Sequence, residues 1–195
     1  LLRAAKLGDM TKTLPIWNIQ PTFKRPIIIF DGDETLYSGT HLRRRKVDIK
    51  IRPGAAELLR ECHEHADLCL WTAASEDWAE TMLEALGDVP WQMRWNRQRC
   101  TPQRNWETGE IDYAKKLQKL KPALKKAGLS RAQVLIVDDR SWPWKCALGN
   151  LLHIPAWHGN PEDTALLHVH REIQRLRTHK AWHRTSKCAL LRPRT

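Results

Sequence analysis

With 195 residues, of which 42% are hydrophobic and 28% charged, the chain has the length and composition of a single globular domain, and no linker divides it into two. No apolar run approaches the length of about eighteen residues that a membrane span needs, and residues 1–15 lack the pattern of a secretory signal. We therefore expect a soluble, intracellular protein, cytoplasmic or nuclear, and the net charge of +11 favours an acidic partner such as a phosphoprotein or nucleic acid.

Cysteine and histidine form no metal-binding pattern in the sequence. The cysteines are scattered, form no CxxC pair, and are expected to be reduced thiols: Cys62, Cys69, Cys100, Cys146 and Cys188. Two histidine pairs, at 63–65 and 168–170, have a spacing of two within helical patterns, which points their rings to different faces. We interpret these histidines as solvated or capping residues.

The first part of the chain alternates predicted strands and helices. Residues 1–25 form an N-terminal arm that contains prolines. The apolar run 27–30 is typical of a buried parallel strand and ends at three acids. A helix over 53–65 begins with Pro and Gly, and the apolar run 67–74 predicts a second strand.

The middle of the chain begins with a helix over 75–87, which we expect to be capped by Ser75 and to place Trp78 among its apolar positions. A strand is predicted within 89–100. After a turn-rich stretch comes a basic amphipathic segment, 113–128, whose last helix carries a proline near its start or is kinked by it.

The last part of the predicted domain repeats the alternation. The apolar run 134–138 predicts a buried strand capped by paired acids, a further strand is expected within 150–157, and Asn160 is predicted to be the N-cap of a helix. Alternating strands and helices predict an α/β fold, with a parallel sheet and helices on both faces. We expect the domain to span 26–178, followed by a basic tail, 179–195.

Three predicted strands end in polar residues. Asp31 and Asp33 follow the first, Thr72 ends the second, and Asp138 and Asp139 end a third. Because ligands in such sheets bind outside the carboxyl ends of the strands, we expect these side chains to meet in one crevice. Four carboxylates cannot all remain ionised there without a cation, and oxygen ligands suit Mg²⁺.

These residues match the motifs of a known family. The stretch 31–35, DGDET, fits the pattern DxDx[TV]; Thr72 fits a second motif, Lys115 in DYAKKL a third, with Lys116 as its neighbour, and Asp138-Asp139 a fourth. In this the chain resembles the haloacid dehalogenase superfamily, and within it the NLI-interacting-factor branch of phosphatases that act on the RNA polymerase II C-terminal domain. The resemblance covers roughly residues 26–175.

The resemblance implies a role for each matched residue. Asp31 would be the nucleophile that forms an aspartyl-phosphate, and Asp33 would be the general acid and base. Thr72 and Lys115 would donate hydrogen bonds to the phosphoryl oxygens. Mg²⁺ would be held by the carboxylate of Asp31, the backbone carbonyl of Asp33 and the fourth motif, with Asp139 as the direct ligand and Asp138 binding a metal-bound water or the lysine.

The spacing of the motifs bears on the substrate. Neither the gap 35–53 nor the gap 72–115 has room for a full cap domain; the first holds a hairpin and the second a helix and a small β insert. An open site favours a phosphoprotein as substrate. One alternative function is a polynucleotide end phosphatase. A second alternative is a non-catalytic nucleic-acid-binding module on the same fold. Gly32 departs from the branch, which usually carries a larger apolar residue there.

Basic and aromatic residues suggest where a macromolecule would dock. The run 43–46 is basic, and residues 171–195 carry eight lysines and arginines against one glutamate, so the tail could bind nucleic acid or remain solvated. Of ten tryptophans, most are expected in the core, with the WPW stretch at 142–144 as the best candidate for a binding groove. We interpret Arg140 as a surface residue.

Overall fold

The computed structural model describes residues 17–41, 47–106 and 108–178. Its strands are β1 (Ile27–Phe30), β2 (Tyr37–His41), β3 (Val47–Ile51), β4 (Asp67–Trp71), β5 (Trp91–Trp95), β6 (Thr101–Arg104), β7 (Ile111–Ala114), β8 (Val134–Asp138) and β9 (Leu151–His153). Its helices are α1 (Ala55–His63), α2 (Glu76–Leu86), α3 (Lys121–Lys126) and α4 (Ala165–Thr178). Short 3-10 turns connect several of these elements.

The central sheet has five strands in the order β5-β4-β1-β8-β9, and all neighbouring pairs are parallel. β1 lies in the middle, and all its residues are buried, as are those of β4 and β8. Strands covered on both faces need apolar residues at nearly every position, which explains their continuous apolar runs. The predicted α/β fold, a Rossmann-like parallel sheet flanked by helices, is confirmed.

Different helices cover the two faces of the sheet. Ile28 and Phe30 of β1 belong to a core that includes buried residues of α1, α2 and α4. Ile27 and Ile29 face the other way and share a second core with α3 and the 3-10 turn Leu117–Leu120. Because side chains alternate along a strand, β1 contributes to both cores and is fixed from both sides.

Two antiparallel hairpins stand beside the sheet. β2 pairs with β3 in the gap after the first motif, and β6 pairs with β7 in the gap between the second and third motifs. That second gap also contains α2 and β5, but β5 joins the central sheet, so β6 and β7 alone form the small insert. Within the described ranges, neither gap holds a cap domain.

The basic segment 113–128 is not a single helix. It comprises the end of β7, the 3-10 turn Leu117–Leu120 and then α3, in which Pro122 lies in the first turn. A proline is tolerated there because the first N–H groups of a helix have no partner within it. Lys115 is consequently not on a solvated helical face; it follows a strand and is buried.

Two predicted helix caps differ from the structure. α4 begins at Ala165 rather than directly after Asn160. The N–H of Ala165 donates to the carboxylate of Asp163 at 3.0 Å, and Arg52 holds that carboxylate in place, so a tertiary contact sets the start of the helix. Ser75 occupies the N-cap position of α2 but makes no side-chain capping hydrogen bond.

Several predicted features lie outside the described residues: most of the arm 1–25, the basic run 43–46 and the tail 179–195. The domain bounds 26–178 remain a prediction. Among the helices of the described part, none is long and apolar enough to cross a membrane. The cysteines in that part are all free, as expected: Cys62, Cys69, Cys100 and Cys146.

Candidate active site

A crevice of about 540 Å³ opens at the carboxyl edge of the sheet. The predicted residues meet there: Asp31 and Asp33 after β1, Thr72 after β4, Lys115 after β7, and Asp138 and Asp139 at the end of β8. Backbone hydrogen bonds continue beyond the strands, because the N–H of Asp31 donates to Val137 and that of Thr72 to Trp95, each at 2.9 Å. The floor of the crevice is therefore fixed by the sheet itself.

Lys115 connects the first and fourth motifs. Its Nζ lies 2.7 Å from Oδ1 of Asp31 and 2.7 Å from Oδ2 of Asp138, and its side chain is almost wholly buried. Burial disfavours the ammonium charge, but the carboxylates of Asp138 and Asp31 outweigh it and hold the pKa of Lys115 above its ordinary value. Lys115 is thus a fixed cation. Lys116 is only half-buried, so the structure brings Lys115 into the crevice.

Three carboxylates crowd the deepest part of the crevice. Ligand oxygens of Asp31, Asp138 and Asp139 all lie within 4.8 Å of one another. Burial, followed by the charge of Asp138, raises the pKa of Asp31 to about 8 despite the nearby Lys115. Burial and Asp138 likewise raise the pKa of Asp139. One lysine does not offset three carboxylates, and this excess of oxygen donors fits a hard divalent cation.

Hydrogen bonds orient the two acids of the fourth motif. Oδ2 of Asp138 accepts from the indole of Trp144 at 2.6 Å, and Oδ1 accepts from the N–H of Arg140 at 2.8 Å. The hydroxyl of Thr35 donates to Oδ1 of Asp139 at 2.9 Å and accepts from the N–H of Asp139 at 3.1 Å. Thr35, the last residue of the DxDx[TV] motif, therefore ties the loop after β1 to the loop after β8.

Asp33 faces a different part of the crevice. Its Oδ1 accepts a hydrogen bond from the indole of Trp78 at 2.7 Å, and its Oδ2 lies 3.5 Å from the hydroxyl of Thr72. That hydroxyl also accepts from the N–H of Ala74 at 3.0 Å. The sequence pattern predicts Trp78 among the apolar positions of α2. The ring does pack there in part, but its N–H reaches the crevice.

A buried arginine holds the loop between β1 and β2, which contains the first motif. Nε and Nη2 of Arg52 donate hydrogen bonds to the carboxylate of Asp163 at 2.8 and 3.0 Å. The guanidinium also donates to the carbonyls of Glu34, Thr35 and Pro155. Such a bidentate contact suits the planar guanidinium. The role of Arg52 could not be predicted from the sequence, because an arginine before Pro-Gly carries no periodic signal.

Tyr37 explains why the second position of the first motif is glycine. A Cβ atom on Gly32 would lie 2.1 Å from the hydroxyl oxygen of Tyr37, which is far inside van der Waals contact. Tyr37 is fully buried, and among the described residues its hydroxyl has no hydrogen-bond partner. The departure from the family pattern at Gly32 is therefore matched by a large side chain on β2.

The rim of the crevice carries exposed basic and aromatic residues. The guanidinium of Arg97 lies 4.9 Å from the ring centre of Tyr113, and its Nε donates to the carbonyl of Ala73. Arg140 is exposed, as expected, and it also lines the crevice. Of the WPW stretch, Trp142 is exposed at the rim, whereas Trp144 is fully buried beneath the site, so the groove interpretation is wrong for Trp144.

Comparison with known proteins places the chain in one family. The model for NLI interacting factor-like phosphatases matches residues 26–183. The chain is 26% identical over 173 residues to the CTD nuclear envelope phosphatase 1 homolog of Caenorhabditis elegans, an alignment that covers 76% of this chain and 65% of that protein. This chain thus spans less than two thirds of that relative.

Solved structures share the fold at low identity. Fission yeast RNA polymerase II CTD phosphatase Fcp1-R271A, bound to beryllium fluoride, matches with a TM-score of 0.50 and 17% identity over 80% of this chain and 52% of that one. The 3-deoxy-D-manno-octulosonate 8-phosphate phosphatase of Moraxella catarrhalis, in complex with magnesium, phosphate and KDO, matches with a TM-score of 0.53 and 14% identity. That match covers 78% of this chain and 87% of that one. The family model covers most of the chain, and the chain therefore belongs to the NLI interacting factor-like phosphatases.

Proposed function

We propose that this protein is a Mg²⁺-dependent phosphatase that hydrolyses phosphoserine or phosphothreonine in a protein through an aspartyl-phosphate at Asp31. One observation carries the proposal. The ammonium of Lys115 lies 2.7 Å from both Asp31 and Asp138, although these three residues come from three separate parts of the chain. A buried cation between carboxylates, on the floor of an open crevice, suits a phosphate group.

In the proposed reaction, a carboxylate oxygen of Asp31 attacks phosphorus in line, and the bond from phosphorus to the seryl or threonyl oxygen breaks. Asp33 gives its proton to that leaving oxygen. Asp33 then takes a proton from water, the water oxygen attacks the phosphorus of the aspartyl-phosphate, and the bond from phosphorus to the oxygen of Asp31 breaks. Inorganic phosphate leaves, and both aspartates return to their starting state.

Two further residues would bind the phosphoryl oxygens. The ammonium of Lys115 already lies beside Asp31, and the hydroxyl of Thr72 lies on the other side of the crevice, next to Asp33. Donors that are fixed before the reaction stabilise the charge that develops on the phosphoryl group at no cost of reorganisation. Their burial beneath the rim strengthens this effect.

The carboxylates of Asp31 and Asp139 and the backbone carbonyl of Asp33 would hold Mg²⁺. Both oxygens of Asp138 accept protein hydrogen bonds, from Trp144 and from the N–H of Arg140, which favours Asp139 as the direct ligand and Asp138 as an indirect one. When bound, Mg²⁺ neutralises negative charge on the carboxylates and on the phosphoryl oxygens. The crowding of carboxylates described above supports this assignment.

The open crevice supports a protein substrate. Within the described residues, no cap covers it, so a phosphate on a protruding side chain can enter. Arg97, Arg140 and Trp142 at the rim offer charge and apolar surface to flanking peptide residues. An intracellular location, nuclear or cytoplasmic, follows from this class of substrate.

The proposal is tested by phosphate release from three substrates compared side by side: a phosphoserine peptide, a 3′-phosphorylated oligonucleotide and p-nitrophenyl phosphate, each with Mg²⁺ and with EDTA. We expect Mg²⁺-dependent turnover, with the peptide preferred over the oligonucleotide. A preference for the oligonucleotide, lost on removal of residues 179–195, would favour the polynucleotide-end phosphatase and a role for the basic tail. Binding of the oligonucleotide without turnover of any substrate would favour the non-catalytic module.

A further inference from the structure

Of the two side-chain hydrogen bonds described for Asp33, the shorter one comes from Trp78. Its indole N–H donates to Oδ1 of Asp33 at 2.7 Å, which is a short distance for an N–H···O hydrogen bond. Asp33 lies after the end of β1, half-buried, where a free carboxylate could rotate about its side-chain bonds. The contact with Trp78 restricts that rotation. It leaves Oδ2, the oxygen nearer to Thr72, facing the part of the crevice where the phosphoryl group would bind.

Packing fixes the indole itself. A Cβ atom on Gly39 of β2 would lie 2.9 Å from Cζ2 of Trp78 and 2.2 Å from Cε of Met82. The backbone of β2 therefore lies directly against the ring, and Trp78 is held between the β2–β3 hairpin and α2. The ring therefore cannot move towards β2 without displacing that strand. Only glycine at position 39 permits this close approach, because glycine has no side chain.

We propose that Trp78 is a positioning residue for the proposed general acid: it holds Oδ1 of Asp33 so that Oδ2 delivers the proton to the leaving oxygen. The inference rests on the proposed function of Asp33. Proton transfer matters most when the leaving group is a weak acid, because a strongly acidic leaving group departs as an anion without help. If Asp33 is no longer positioned, kcat/KM should therefore fall more for a weakly acidic leaving group than for a strongly acidic one.

The test compares kcat/KM for phenyl phosphate and p-nitrophenyl phosphate, since phenol is the weaker acid. In Trp78→Phe, which keeps an aromatic ring but removes the N–H, we expect kcat/KM to fall about 10-fold to 100-fold for phenyl phosphate and only a few-fold for p-nitrophenyl phosphate. The ratio between the two substrates does not depend on how much of the variant is folded, so partial misfolding cannot imitate the effect.

Three further variants sharpen the test. Trp78→His restores an N–H at the corresponding position of a five-membered ring and should recover most of the lost ratio. Gly39→Ala should reproduce the loss, because the added methyl group meets the ring and pushes it from Asp33. Trp106→Phe is the matched control, because Trp106 is 89% exposed on the turn between β6 and β7. In this variant the ratio of kcat/KM for the two aryl phosphates should equal that of the unmodified protein.

An equal loss for both substrates in Trp78→Phe, or no recovery in Trp78→His, would overturn the inference and leave Trp78 as a wall of the crevice. Failure of the proposed function would look different. In that case the unmodified protein would hydrolyse neither aryl phosphate, or Asp31→Asn would retain its activity, and the comparison between leaving groups would not arise.

Discussion

The floor and the rim of the crevice are built differently. On the floor, Asp31, Lys115 and Asp138 are buried and joined by ion pairs of 2.7 Å. On the rim, Arg97 and Trp142 are exposed and lie in short 3-10 turns, Arg97–Arg99 and Trp142–Trp144, between the longer elements. Fixed, desolvated charges serve chemistry, whereas exposed side chains on loops adapt to a substrate. Substitutions on the floor should therefore reduce kcat, and substitutions on the rim should mainly raise KM.

The largest effect is expected for Asp31→Asn. An amide does not attack phosphorus, so we expect kcat to fall by several orders of magnitude for a phosphopeptide and an aryl phosphate alike. Phosphate release under Mg²⁺ measures this directly. Substantial activity in this variant would remove Asp31 from the role of nucleophile and would end the distinction between floor and rim.

The second-largest effect is expected for Lys115→Met. Removing one partner of a buried ion pair typically costs about 3–5 kcal/mol of stability, and here it leaves Asp31 and Asp138 facing each other without a cation. We expect a lower free energy of unfolding in denaturant and a loss of kcat. Lys116→Met is the matched control and should leave both nearly unchanged, since Lys116 is only half-buried. Equal effects in the two variants would contradict the assignment of the third motif.

The carboxylates of the floor should also destabilise the protein when no metal is present. In the folded protein the pKa of Asp31 is raised from 3.8 to about 8, whereas in the unfolded chain it is ordinary. Between these values the unfolded chain loses the proton and the folded protein keeps it, so stability falls as pH rises through this window. Asp31→Asn cannot ionise at this position and so does not lose stability in this way.

In EDTA, we therefore expect Asp31→Asn to melt several degrees above the unmodified protein at about pH 8, and the difference to shrink towards about pH 4. Thermal melts at both pH values measure the effect. Mg²⁺ should reduce the difference, because the cation offsets the same charges. A difference that is independent of both pH and metal would mean that like-charge repulsion is not its cause.

The smallest effect is expected on the rim. Trp142→Ala should raise KM for a phosphoserine peptide a few-fold and affect kcat much less, since the side chain is 37% exposed and contacts no floor residue among the hydrogen bonds and ion pairs described. Steady-state kinetics separate the two parameters. A fall in kcat with unchanged KM would show that the rim takes part in chemistry.

The sequence predicts the floor well, because parallel strands end at one edge of a sheet. The runs before Asp31, Thr72 and Asp138 identify three such ends, and the structure brings these residues together. Lys115 required the family resemblance, since nothing in a run of basic residues distinguishes it from Lys116. The α/β fold follows from the alternation of apolar runs and helical patterns.

The supporting contacts could not be predicted in the same way. Trp78 reaches Asp33 from a helix, Trp144 reaches Asp138 from beneath, and Arg52 binds Asp163 across the fold. Each contact depends on how distant elements pack, and each side chain shows an ordinary local pattern. The start of α4 was misplaced for the same reason, because the bond between Asp163 and Arg52 determines it.

The central claim is that Asp31 becomes phosphorylated during turnover. The most direct measurement is acid quenching of the protein during hydrolysis of a phosphoserine peptide with Mg²⁺, followed by mass spectrometry of its proteolytic fragments. We predict a phosphoryl group on Asp31 that is absent in Asp31→Asn and sensitive to hydroxylamine, as an acyl phosphate should be. Steady turnover without a phosphoryl group on Asp31, or with one on another residue, would contradict the account.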